Sequence, residues 1–94
     1  MVATDPANVD LKAAFGWFAF RERCGQAAGL VAVDAGIAQA KDNAELHYLR
    51  AELLSQLGRP ADALAAIREA ARLEPTSAFF KRQVRRFAEL SGGA

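Results

Sequence analysis

The sequence predicts an all-α chain: five helices paired into antiparallel hairpins and stacked in one thin domain. Alanine supplies 22 of the 94 residues, against 5 valines; alanine is the strongest helix former, while β-branched residues favour strands. Apolar residues recur three and four apart, most cleanly at Leu46, Leu49, Leu53, Leu54 and Leu57. That is the period of one helix face, and no segment alternates as a strand does. Glycines, prolines and capping residues cut the chain at short intervals, and helices joined by short turns become antiparallel neighbours.

Each element has its own signals. Thr4-Asp5-Pro6 reads as a helix start, an acidic N-cap followed by proline at the first helical position. That helix runs through Leu11, Phe15 and Phe18 to Arg23, and Cys24-Gly25 breaks it. A second helix spans residues 26–40, with Leu30, Val33 and Ile37 beside the small residues Gly29, Ala32 and Gly36. Asp42 or Asn43 caps a third helix over 44–57, and Gly58 stops it. Pro60 opens the fourth helix, whose apolar face is Leu64, Ile67, Ala71 and Leu73, and Glu74-Pro75 ends it. Thr76 or Ser77 caps a fifth helix over 78–90, with Phe80, Val84 and Phe87 on one face. Residues 91–94 form a tail.

Bulk properties narrow the function. Twelve basic residues against eleven acidic give a net charge of +1, which provides no global attraction to nucleic acid or to a membrane surface. One cysteine, Cys24, excludes an internal disulfide, and cytoplasmic localisation is the expectation. Residues 1–10 lack the basic and apolar regions of a signal peptide. The longest apolar run, 13–20, falls far short of the ~20 residues that span a bilayer. Arginine outnumbers lysine nine to three, which with the alanine excess suggests a bacterial source.

A shift of 34 residues superimposes the second and fourth helices. Cys24 falls on Gly58, Ala27 on Ala61, Gly29 on Ala63, Leu30 on Leu64, Val33 on Ile67 and Gly36 on Ala70. Small residues match small ones because they let two helix backbones approach, and the branched residue between them fills the groove. Over 44–77 the residues Ala51, Leu54, Gly58, Ala63, Ile67, Ala70, Leu73 and Pro75 resemble the tetratricopeptide repeat (TPR) pattern. The resemblance implies a TPR-like antiparallel helical-hairpin stack. A divergent first repeat covers about 6–41, a second repeat 44–77, and a capping helix 78–90. Two positions depart from the pattern: His47 stands where tryptophan is preferred and Arg50 where leucine is. In the first helix the register puts Trp17 where a small residue belongs.

Nothing in the chain assembles a recognisable catalytic or cofactor constellation. The lone His47 reads as a helix-packing residue. Cys24, near Arg21 and Arg23, is the one candidate for thiol chemistry, because a nearby cation favours the thiolate. No metal or cofactor is expected, since neither a zinc ligand set nor a phosphate loop is present.

The remaining signals concern contacts with other chains. Lys81-Arg82 and Arg85-Arg86 make a basic stripe, read either as a solvated helix face or as a surface for an acidic segment. Phe15, Trp17, Phe18 and Phe20 crowd four of the eight aromatic residues into six positions. They go more than halfway around the first helix, so one neighbouring helix cannot cover them all. An exposed aromatic patch marks an interface, which makes self-association into a homo-oligomer the leading expectation.

The TPR resemblance implies a non-catalytic scaffold or adaptor with a protein or peptide partner in a groove lined by the first helix of each hairpin. Carried over, that groove includes Phe18, Glu45, Tyr48, Glu52, Phe79, Arg82, Gln83 and Arg86. Tyr48 and Glu52 stand where members that grip carboxylates have lysine and asparagine, which argues against that ligand class. A monomeric peptide-binding adaptor or regulatory module using Tyr48, Arg82 and Arg86 remains the alternative.

Overall fold

The computed structural model describes residues 6–92, with side chains from Asn8 onward. The expected N-cap at Thr4-Asp5 and the last two residues of the tail lie outside that range. Five helices follow one another: α1 (Pro6–Glu22), α2 (Gln26–Gln39), α3 (Ala44–Gln56), α4 (Pro60–Leu73) and α5 (Ala78–Leu90). Among the described residues there is no strand.

The boundaries follow local chemistry. The Asn43 side chain accepts the Leu46 N–H at 3.2 Å, and the Ser77 hydroxyl accepts the Phe80 N–H at 3.1 Å. Each cap satisfies a donor that a helix start otherwise leaves unpaired. Pro60 occupies the first turn of α4, where its missing N–H costs nothing. Gly58 takes φ of 78°, a left-handed conformation that needs no Cβ, and it reverses the chain between α3 and α4. Ala40 and Leu57, expected as the last helical residues, are instead the C-caps of α2 and α3.

The helices form a slab of 46 × 31 × 17 Å. Its short dimension is under two helix diameters of about 10–12 Å. α1 pairs with α2 and α3 with α4; α3 also rests on α1 and α2, and α5 closes against α4. The core sits along α3, where Leu46, Leu49, Leu53 and Leu54 are fully buried against Val33 of α2 and Ile67 of α4. Each such side chain contributes about 1.5–3 kcal/mol by leaving water. Phe80 and Phe87 anchor α5 in the same cluster. The alanines provide closeness rather than bulk: Ala51 of α3 and Ala63 and Ala70 of α4 are completely buried.

The first hairpin packs differently from the expected alignment. With Cys24 set on Gly58, Trp17 falls in the small-residue position. Two residues of the turn are left-handed, Arg23 at φ 52° and Gly25 at φ 69°, and Arg23 is the one that directly precedes the turn's closing N–H, as Gly58 does. The Cys24 N–H bonds the Ala19 carbonyl as the Arg59 N–H bonds the Leu54 carbonyl. Arg23 therefore corresponds to Gly58, an offset of 35 residues for α1 instead of 34. The extra residue rotates α1. Gly16 and Ala19 now face α2, and Gly29 receives them: a Cβ on Gly29 would lie 2.7 Å from the Ala19 Cβ. Trp17 turns away from that contact, so the small-residue slot is filled without it.

Candidate interaction groove

α1, α3 and α5 contribute side chains to one side of the slab, and a cleft of about 400 Å³ opens between them. Trp17 comes from α1, Glu45 and Tyr48 from α3, and Phe79 and Phe80 from α5, with Glu74 from the end of α4. The rings touch in sequence across the slab. Trp17 and Tyr48 are 6.1 Å apart, Tyr48 and Phe79 5.2 Å, and Phe79 and Phe80 5.6 Å between centroids. Their planes meet at 48°, 75° and 62°. Edge and tilted contacts of this kind suit the ring quadrupoles, and they build walls instead of a closed stack.

Tyr48 is fixed from below. Its hydroxyl donates to Glu52 Oε2 at 2.5 Å, and Arg86 Nη2 donates to Glu52 Oε1 at 2.7 Å. Glu52 is 6% exposed, so its charge requires both partners. Burial, then the hydrogen bond to Glu52 and its negative charge, push the Tyr48 phenol well above its ordinary range, against a smaller opposing effect of Arg86. The guanidinium of Arg86 also lies 4.4 Å from the Phe87 ring centre, which adds a cation–π contact.

The residues expected in the groove thus separate. Glu45, Tyr48 and Phe79 line the cleft. Glu52 and Arg86 lie beneath it as an ion pair, and Glu52 is buried rather than presented to a ligand. Gln83 is half-buried and Arg82 exposed, and neither lines the cleft. Phe18 does not line it either; the ring from α1 is Trp17. Phe80 and Glu74 join it without having been expected. The rotation of α1 explains the exchange of Phe18 for Trp17, and the signal for it is the pair of small residues Gly16 and Ala19, which fit Gly29.

The four aromatics of α1 divide in the same way. Trp17 and Phe20 are half-buried, 5.9 Å apart, and pack on the core. Phe15 and Phe18 are 46% and 52% exposed, and Leu11 joins them at 72%. At an offset of 35 these three correspond to Leu46, Arg50 and Leu53 of α3. Those residues rest on α2: Leu46 beside Gly36, Arg50 paired with Asp34 at 2.7 Å, and Leu53 beside Gly29. The stripe on α1 is the face that α3 covers with the preceding helix.

His47 Nε2 lies 3.0 Å from the Lys41 carbonyl oxygen, a local packing contact. Cys24 is exposed in the turn between α1 and α2. Among the described residues, no helix is long and apolar enough to cross a membrane.

The family model described as tetratricopeptide repeat matches residues 44–77, the α3–α4 hairpin and its flanking turn. Comparison with curated proteins finds no match, and comparison with solved structures finds none either.

Proposed function

We propose that the chain, whose residues 44–77 match the tetratricopeptide repeat model, is a non-catalytic interaction module whose partner is a polypeptide segment held in the groove of α1, α3 and α5. Tetratricopeptide repeats generally mediate protein–protein interaction. The observation that carries the reading is the aromatic wall: Trp17, Tyr48 and Phe79 stand side by side on the alternate helices α1, α3 and α5. Aromatic anchors in a preformed cleft are the residues that dominate interface energetics. α1 and α2 then form a divergent first repeat, and α5 a capping helix whose exposed Lys81, Arg82 and Arg85 keep the C-terminal end of the stack in water.

Partner capture tests this. Phe79→Ser removes one exposed ring, while Arg68→Glu alters an exposed position on α4, outside the groove. Phe79→Ser should weaken capture about fivefold, the scale of a lost aromatic contact of about 1 kcal/mol, with unchanged helical circular dichroism. Arg68→Glu should leave capture intact. Equal capture by wild type and Phe79→Ser would refute the reading.

A second reading is favoured by the exposed stripe of Leu11, Phe15 and Phe18. A second copy of the chain would cover it by packing α1 on α1, because the other end of the stack presents charged residues. Of the four aromatics first expected at such an interface, Phe15 and Phe18 remain available, while Trp17 and Phe20 are engaged within the chain. Light scattering should give twice the 10.1 kDa chain mass, and Phe18→Glu should restore the single mass. A wild type that stays monomeric at high micromolar concentration excludes it.

A further inference from the structure

We propose that the cleft recognises a cationic side chain of its partner, a lysine ammonium or an arginine guanidinium seated against Tyr48 and Phe79. This rests on the groove reading above and specifies its ligand. The lining has four aromatic rings and two carboxylates, Glu45 and Glu74, and no cation. Aromatic faces carry partial negative charge and attract cations that come within about 6 Å of the ring centre. The tilts between neighbouring rings, 48° to 75°, keep the rings from stacking into one another and hold them as separate walls.

The placement of Arg86 supports the same conclusion. Arg86 is held by Glu52 and by the Phe87 ring, so it leaves the cleft carboxylates unneutralised. Glu45 and Glu74 are exposed at the rim, where they can attract an incoming cation without the cost of burying their own charge. An acidic ligand would meet two like charges here. A purely apolar ligand would fill the ring surface but gain nothing from the carboxylates. The volume of about 400 Å³ lies near the lower end of ligand pockets, about 300–1,000 Å³. That size fits one long side chain with its flanking backbone, not a whole helix.

Trp17 is the only tryptophan in the chain and lines the cleft, so its emission reports occupancy directly. The probes are four blocked pentapeptides, Gly-Ser-X-Ser-Gly, with X lysine, arginine, norleucine or glutamate. Lysine or arginine should bind at least about fivefold tighter than norleucine, the scale of one cation–π contact. The glutamate peptide should bind weakest. The double substitution Glu45→Gln and Glu74→Gln should narrow the gap between the cationic peptides and norleucine to the part the rings supply, and should relieve the disadvantage of the glutamate peptide. Added salt should act in the same direction, since rim charges are screened.

Norleucine binding as tightly as lysine and arginine would overturn the cation assignment while leaving a peptide groove in place. Absence of saturable binding by any of the four would overturn both. Phe79→Ala separates ring recognition from charge alone. It should lower lysine binding with wild-type circular dichroism, and lysine binding that survives it would contradict the seating proposed here.

Discussion

The two helical hairpins are built from similar residues and buried very differently. α3 hides seven of its thirteen residues: Ala44, Leu46, Leu49, Ala51, Glu52, Leu53 and Leu54. α1 contains Leu11, Phe15, Trp17, Phe18 and Phe20, yet its fully buried positions are Gly16 and Ala19. The cause is place in the stack. α3 has neighbours on both sides, in α2 and α4, and α1 has α2 and α3 on one side only. The same stripe that is core on α3 is therefore surface on α1. In a stacked repeat, burial is a property of the neighbour as much as of the residue.

Truncation should make that contrast measurable. Leu49→Ala empties a fully enclosed site and should cost about 3 kcal/mol in urea unfolding, within the usual range of about 2–5 kcal/mol. Leu11→Ala, on the exposed stripe, should stay within about 0.5 kcal/mol of wild type. Equal losses would mean that α1 is covered in solution and would erase the difference between the hairpins.

A smaller effect tests the register of α1. Gly29→Ala places a methyl 2.7 Å from the Ala19 Cβ, and an alanine methyl cannot rotate away. Overpacking of about 1–3 kcal/mol exceeds the roughly 1 kcal/mol that alanine gains over glycine in a helix. The variant should lose about 1 kcal/mol net. A more stable Gly29→Ala would show that α1 and α2 are farther apart than this packing requires.

The contact between α3 and α5 should respond to Arg86→Ala. It leaves the buried Glu52 carboxylate with Tyr48 as its remaining partner, and about 1 kcal/mol of stability should go, since Arg86 itself is half-exposed. Restoration by the further change Glu52→Gln, which removes the stranded charge, would identify that charge as the cause. Failure of the second change to recover any stability would instead point to lost stacking on Phe87.

The gentlest probe is alkaline pH. The phenol of Tyr48 is raised in the folded state by burial and by Glu52, so folding favours its protonated form. The resulting stability is complete below the ordinary phenol value of about 10 and declines as pH rises above it. Tyr48 is the only tyrosine, so phenolate absorbance follows it alone. It should ionise later than a free tyrosine, and Glu52→Gln should bring its titration down. Ordinary titration in the folded chain would contradict the bond to Glu52.

Much of this was legible in the residues. Asn43, Ser77, Pro60 and Gly58 announce helix ends by chemistry that acts within a few residues, and the structure puts each where that chemistry requires. The alanines at 51, 63 and 70 are buried where the repeat spacing puts small residues. The rotation of α1 was not legible, because it depends on Arg23 adopting a left-handed conformation usually left to glycine. Nor was the Glu52–Arg86 pair, which joins residues 34 apart in sequence. Spacing puts both on the groove side of their helices, but only the packing reveals that they meet beneath it. Tyr48 and Phe79 follow from the repeat pattern, whereas Trp17 enters the cleft through the same rotation that removes Phe18.

Groove binding is tested most directly by placing a photo-crosslinking amino acid at position 79, in the cleft, or at position 68, on α4, and irradiating living cells. The groove account requires a defined polypeptide adduct from position 79 and none from position 68. An adduct from position 68 alone, or the same adduct from both, would contradict it.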